Sequence, residues 1–171
     1  MGRFFSLVDA PEHREEFKRY YRIPSNVSMQ HCNPGEWHEK RPTSVVVIPM
    51  IAFIEGGMRI PMGRVTRDFL NIFRLCPIQC VPNMFIIIGC VDALNEKLGI
   101  CLTHHNVNWV YSCQKGVDGG NFLKTRAPAV RLISCLPKTN KCMDGDFLIV
   151  SGEWHDRLHC LTKDGTRGGV A

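Results

Sequence analysis

Hydrophobic positions follow two different rhythms along this chain. Up to about residue 110 they recur at helical spacing or in solid apolar runs. Beyond Gly116 they sit in short runs punctuated by Gly, Pro and Asn. Val45-Val46-Val47-Ile48 is a β-branched run suited to a buried strand. Pro49 fits the first turn of a short helix that ends at Gly56-Gly57, where a left-handed cap is available. Between Gly63 and Leu75, Met62, Val65, Phe69, Ile72 and Phe73 share one helical face, and Arg64, Arg67, Asn71 and Arg74 the opposite one. Pro77 stops that helix. Asn83 stands as N-cap of a helix over 84–98, and Gly99 as its C-terminal stop. Ile87, Ile88, Val91 and Leu94 recur within it, and its first half is apolar all round, which predicts the central buried helix. Asn106 caps a further short helix through Val107, Trp109, Val110 and Tyr111.

The second rhythm predicts strands at 122–125, 130–135 and 146–151. The expected fold class is therefore α+β: a helical first half around the buried helix 84–98, then a small antiparallel β element over about 122–151. Ahead of these elements, residues 1–22 alternate Glu with Lys and Arg, and Pro11 opens a short helix with Glu12, Glu15 and Glu16 near its positive end. This segment reads as a solvated charged extension, and residues 28–43, rich in Asn, Gly, Pro, Glu and Lys, read as a loop. The division expected is an extension at 1–22, a globular domain at 23–155 and a polar tail at 156–171.

Composition narrows the picture. The chain has 171 residues, enough for one domain with a real core, and 44% of them are hydrophobic. A formal charge of +5 spread over the length suits at most weak attraction to nucleic acid. Nine scattered cysteines with no CxxC pair point to thiols buried in an intracellular, reducing setting. The longest apolar runs, 45–54 and 84–91, fall short of the ~20 residues of a membrane span, so no membrane partner is expected.

Candidate chemistry is thin. Asp68, Asp92 and Glu96 are the carboxylates to weigh for a two-metal nuclease site, but helical positions suit them better to a solvated surface. His155 and His159, at i,i+4 beside Cys160, are the metal-ligand candidates, without a fourth ligand. Cys113 with His104 or His105, the imidazole oriented by Asn106 or Asn108, would make a nucleophile pair if the fold joined them. Gly116 to Asn121 is glycine-rich but lacks the Lys-Ser/Thr of a phosphate loop, and reads as a hairpin turn. Arg59, Arg64, Arg67 and Arg74 are the nucleic-acid candidates. No cofactor is indicated.

Two Gly/Pro breaks carry a resemblance. Phe53, Gly57, Arg59 and Ile60-Pro61 are followed by Pro77, Gln79, Pro82 and Asn83, then by Leu136-Pro137, Asn140-Lys141 and Gly152-x-Trp154, with Ile23-Pro24 ahead of them all. Together these resemble the gypsy-type transposon domain of plants, a gag-proximal region of retroelements, over roughly residues 23–154. The chain departs from that pattern at Cys142-Met143, where the family often carries an aromatic residue. Every matched residue is a turn former, a cap or an apolar side chain, so the motif reads as architectural. The resemblance implies a transposon-derived, gag-like, non-enzymatic domain that works by self-association or by binding a protein partner. The alternatives are a metal-dependent nuclease or strand-transferase, and a weak nucleic-acid-binding module.

Overall fold

The computed structural model describes residues 2–33, 36, 42, 44–117, 119–134, 136 and 145–154. Its fold is α+β, as the two rhythms predict. In chain order the elements are α1 (Pro11–Tyr20), β1 (Val27–Cys32), β2 (Val45–Pro49), α2 (Met50–Ile54), α3 (Arg64–Phe73), α4 (Pro82–Leu98), α5 (His104–Val110), β3 (Tyr111–Lys115), β4 (Asn121–Thr125) and β5 (Phe147–Gly152). Short 3-10 turns at Phe5–Leu7 and Pro77–Gln79 complete them.

The larger sheet has the order β1-β5-β2, antiparallel throughout. Its central strand thus comes from the end of the described chain, and both outer strands from the first half. The register lines up Met29, Val150 and Val46 in one row and His31, Leu148 and Ile48 in the next. Period-2 alternation puts these rows on the same face, the one turned to the core. Ile48, Leu148 and Val150 are fully buried, while Ser28 and Gln30 on the other face are exposed.

Beyond β5 the chain must turn sharply across the backbone of Asn26. Gly152 allows this with φ +92°, and a Cβ there would collide with the Asn26 carbonyl oxygen. Trp154 then drops into the core, 1% exposed, and its Nε1 donates to the Ser44 carbonyl at 2.9 Å. At the other end of β5, Asp146 is buried. Its carboxylate accepts from the Phe4 backbone N–H, and its carbonyl accepts from Met50 N–H at 2.9 Å. His31 Nε2 stands 3.7 Å from Asp146 Oδ1.

Helix α4 is the hub of the helical side and packs against α2, α3 and β4. Met84, Ile87 and Ile88 are fully buried within it. The hairpin β3–β4, paired Tyr111↔Thr125 to Lys115↔Asn121, is tied to the segment ahead of α4. Val81 N–H donates to the Asn121 carbonyl at 3.0 Å, and Asn121 Nδ2 donates to the Gln79 carbonyl at 2.9 Å. Among the described residues no helix is long and apolar enough to cross a membrane.

Several local expectations change. The charged N-terminal segment is not a solvated extension: Phe4, Val8 and Phe17 join the core, Lys18 is buried beside Phe17, and Glu12, Glu15, Glu16 and Arg19 face outward. Residues 27–32, read as loop from Ser28 on, form β1, because Val27 and Met29 alternate with polar residues that face outward. Tyr111 begins β3 instead of ending a helix, and residues 130–134 form no strand. Pro82 opens α4 after Val81, so Asn83 is not its cap. Asn83 is instead buried at 8% exposure, with Oδ1 lacking a hydrogen-bond partner. On α3, Thr66 and Leu70 are buried in place of Ile72, which is 54% exposed. The expected C-terminal tail lies outside the described residues.

Leu94 is also partly exposed, at 38%, which sets it apart from Ile87 and Ile88. Ile88→Ala is therefore expected to lower stability by about 2–5 kcal/mol. Leu94→Ala should cost clearly less, and Lys97→Ala under about 0.5 kcal/mol. Urea melts of the three variants check this ranking, and equal losses at Ile88 and Lys97 would contradict a buried α4.

Candidate functional site

The segment joining α2 to α3 alternates like a strand without pairing as one. Met58, Ile60 and Met62 are buried, while Gly57, Arg59 and Pro61 face outward. Gly57 sits at φ +61°, and the Ile60–Pro61 peptide is cis. This segment forms one wall of a cleft of about 470 Å³. The facing wall is α4, which presents Phe85, Gly89, Asp92 and Glu96, spaced i, i+4, i+7 and i+11 along one helical face. The first turn of α3 and residues Ile100 to Thr103 close the ends.

Three polar side chains in this lining build the walls. Gly63, the residue before α3, has no side chain with which to cap it. Asp92 supplies the cap from α4: Oδ1 accepts from Val65 N–H at 2.8 Å, and Oδ2 accepts from Thr66 N–H at 3.1 Å and Thr66 Oγ1 at 2.7 Å. A carboxylate at this positive helix end is favoured by the helix dipole as well as by the bonds. Any Cβ on Gly63 would collide with that carboxylate. Asn95 clasps Leu102 in both directions at 2.8 Å, donating through Nδ2 to its carbonyl and accepting from its N–H. Thr103 accepts from His105 N–H, and Asn106 accepts from Thr103 N–H, which together cap α5. Thr103 is therefore the N-cap of α5, and Asn106, the third helical residue, closes its capping box.

The remaining charges form loose pairs at the rim. Arg59 stands 3.6 Å from Glu96, and Arg64 stands 3.7 Å from Asp68, both arginine side chains being largely exposed. Two arginines against three carboxylates leave the lining with a formal charge of −1. The floor is apolar: Met58, Met62, Val65 and Phe85 are all buried. Gly89 faces open space, with no atom beyond its chain neighbours and the adjoining backbone of α4 within 4 Å of where a Cβ would lie.

The four arginines expected as a phosphate stripe are thus divided. Arg59 and Arg64 border the cleft, Arg67 lies 3.5 Å from Asp68, and Arg74 sits at the other end of α3 in a left-handed conformation. The carboxylates weighed for metal binding are likewise paired: Asp92 caps α3, while Glu96 and Asp68 face arginines. Among the described residues no group of three His, Cys, Asp or Glu side chains could hold a metal ion. His155, His159 and Cys160 lie outside the described residues.

Of the proposed nucleophile set, Asn106 is held in the α5 cap and the Asn108 side chain accepts from Arg126 at 3.2 Å. The rings of His104 and His105 lie 4.0 Å apart. Partial burial and then the neighbouring His105 hold the His104 imidazole below its usual pKa, against an opposing pull from Asp68. Burial pushes the Cys113 thiol up, which disfavours the thiolate a nucleophile needs.

The residues of the family-like motif fall at bends and caps. Gly57, Arg59 and Pro61 form the cleft wall, and Pro77 and Pro82 open helical turns. Gln79 accepts from Cys76 N–H at 2.9 Å. Gly152 and Trp154 secure the end of β5, and Leu136 is partly buried against the core. Pro137, Asn140 and Lys141 lie outside the described residues. Sequence reasoning missed Gly89, Asn95 and Thr66. The spacing of Phe85, Gly89, Asp92 and Glu96 is the signal that could have grouped the α4 wall.

Compared with protein-family models, curated proteins and solved structures, the chain matches none.

Asp92→Ala removes the cap and leaves the N–H groups of Val65 and Thr66 without it. It is expected to lower stability by about 1–2 kcal/mol. Glu96→Ala breaks only an exposed pair and should change stability by less than about 0.5 kcal/mol. Chemical denaturation of both variants tests the assignment, and equal effects would contradict it.

Proposed function

We propose that this chain is a gag-like, transposon-derived domain that works by protein association and not by catalysis. The observation that carries the reading is the exposure of large apolar side chains on the helical layer. Trp109 is 84% exposed, Leu98 63% and Ile72 54%, on α5, α4 and α3 respectively. Each of these helices buries its other face, so the exposed residues stand on rigid supports. Apolar side chains held out on a packed scaffold are what contact with another protein would use. The resemblance to the gag-proximal region of plant gypsy-type elements agrees with this reading, since assembly is the work expected of such a region.

The pairing of Arg59, Arg64 and Arg67 with Glu96 and Asp68 weighs against a nucleic-acid module, because each guanidinium already faces a carboxylate. Sedimentation equilibrium of the purified chain across a range of concentrations tests the proposal. A mass rising with concentration from 19.4 kDa towards twice that value is expected. A mass fixed at the monomer value to the highest concentration reached would overturn self-association as the activity.

A further inference from the structure

The association reading leaves open which surfaces meet, and a protruding residue and a cleft answer each other. Helix α5 is anchored by Val107 and Val110, at 0% and 8% exposure, and from this base Trp109 projects into solvent. Arg126 holds the residues on either side of it: Nε donates to the Asn108 carbonyl at 2.7 Å and the Tyr111 carbonyl at 3.2 Å, and Nη2 to Asn108 Oδ1 at 3.2 Å. The projecting group is therefore an indole with a guanidinium at its base. The cleft offers the complement. It has an apolar floor with two methionines, a wall left bare at Gly89, a partly exposed Ile100 at its end and a lining charge of −1. Methionine-lined surfaces adapt readily to an inserted ring, and about 470 Å³ lies within the range of pockets that enclose an organic group.

Resting on that reading, we propose that the partner is a second copy of this chain, with Trp109 of each copy seated in the cleft of the other and Arg126 facing the Asp68 and Glu96 side of the rim. Knob and hole are neighbours on one molecule. Thr103 lines the cleft and starts α5, and six residues of helix carry the chain roughly 9 Å to Trp109. A two-fold axis between them lets both insertions form at once, the self-complementary arrangement usual for dimers.

Two variants and their mixture test this by analytical ultracentrifugation, with circular dichroism and urea melts confirming that each is folded. Trp109→Ala removes the knob. Gly89→Leu fills the hole, and it places a helix-favouring residue where a Cβ meets open space. Each variant alone should dimerise at least about 30-fold more weakly than the unmodified chain, the loss expected of a central anchor. An equimolar mixture should associate more tightly than either variant alone and more weakly than the unmodified chain, because the intact Trp109 of Gly89→Leu can enter the intact cleft of Trp109→Ala and restore one insertion of the two. Undiminished dimers in both variants would overturn this interface while leaving association itself standing. Weakened variants whose mixture regains nothing would overturn the knob-and-hole pairing. A strictly monomeric unmodified chain would overturn the association reading together with this one.

Discussion

The carboxylate of Asp92, set against the first turn of α3, is the constraint on which the helical layer depends. Helix α3 begins at a glycine that offers no cap of its own, and its donors are satisfied only from the neighbouring helix. One side chain thereby fixes the start of α3 relative to α4. The connecting segment 57–63 must then pass over the α4 face with Met58, Ile60 and Met62 tucked in and Arg59 left outside. The cleft is what remains between these fixed walls. Its shape follows from the cap and from the two glycines, Gly63 for close approach and Gly89 for the missing side chain.

The sheet depends on a comparable device at each end of β5. Asp146 gathers the Phe4 and Met50 backbones at the start of the strand, and Trp154 reaches Ser44 at its end. These bonds join segments more than 90 residues apart, so the sheet cannot form from local contacts alone. Late closure of such pairings is expected to be slow compared with formation of the α3–α4 pair, because loop closure must precede the contacts that reward it. The Gly-x-Trp pair is thus a closing element of the fold.

How much of this was legible in the sequence depended on whether the signal was local. Helix α4 announced itself by continuous apolarity and Gly99, and its start shifted only because Pro82, which lacks an N–H, suits the first turn and leaves Asn83 free to be buried. Strand β1 was hidden by Ser28 and Gln30, whose polarity reports a solvent-facing edge strand and was mistaken for loop. Tyr111 stands at i+4 from Val107, so helical spacing drew it into α5, whereas the hairpin with β4 claims it for β3. The apolar character of Val130 to Ile133 suggested a strand, and among the described residues none forms there. Nothing in the spacing of Asp92 could assign it to a helix 26 residues earlier. The site was legible in its members, with Arg59, Arg64, Asp68, Asp92 and Glu96 all singled out, but not in its convergence.

That convergence decides which class of occupant the cleft tolerates. A phosphate about 4 Å from a carboxylate is opposed by on the order of 4 kcal/mol at an effective dielectric of about 20. With Asp68, Asp92 and Glu96 in the lining against Arg59 and Arg64, the formal balance is repulsive to polyanions. A neutral aromatic ring carries no such penalty. Burying its 150–250 Å² releases roughly 4–6 kcal/mol at about 25 cal/mol per Å². Association itself costs an estimated 4–15 kcal/mol in lost rotational and translational freedom. One inserted ring would barely offset the low end of that range. Two insertions share a single association cost, so the reciprocal, two-fold arrangement leaves the larger surplus, one insertion holds the copies more weakly, and the rim pairs contribute register more than affinity.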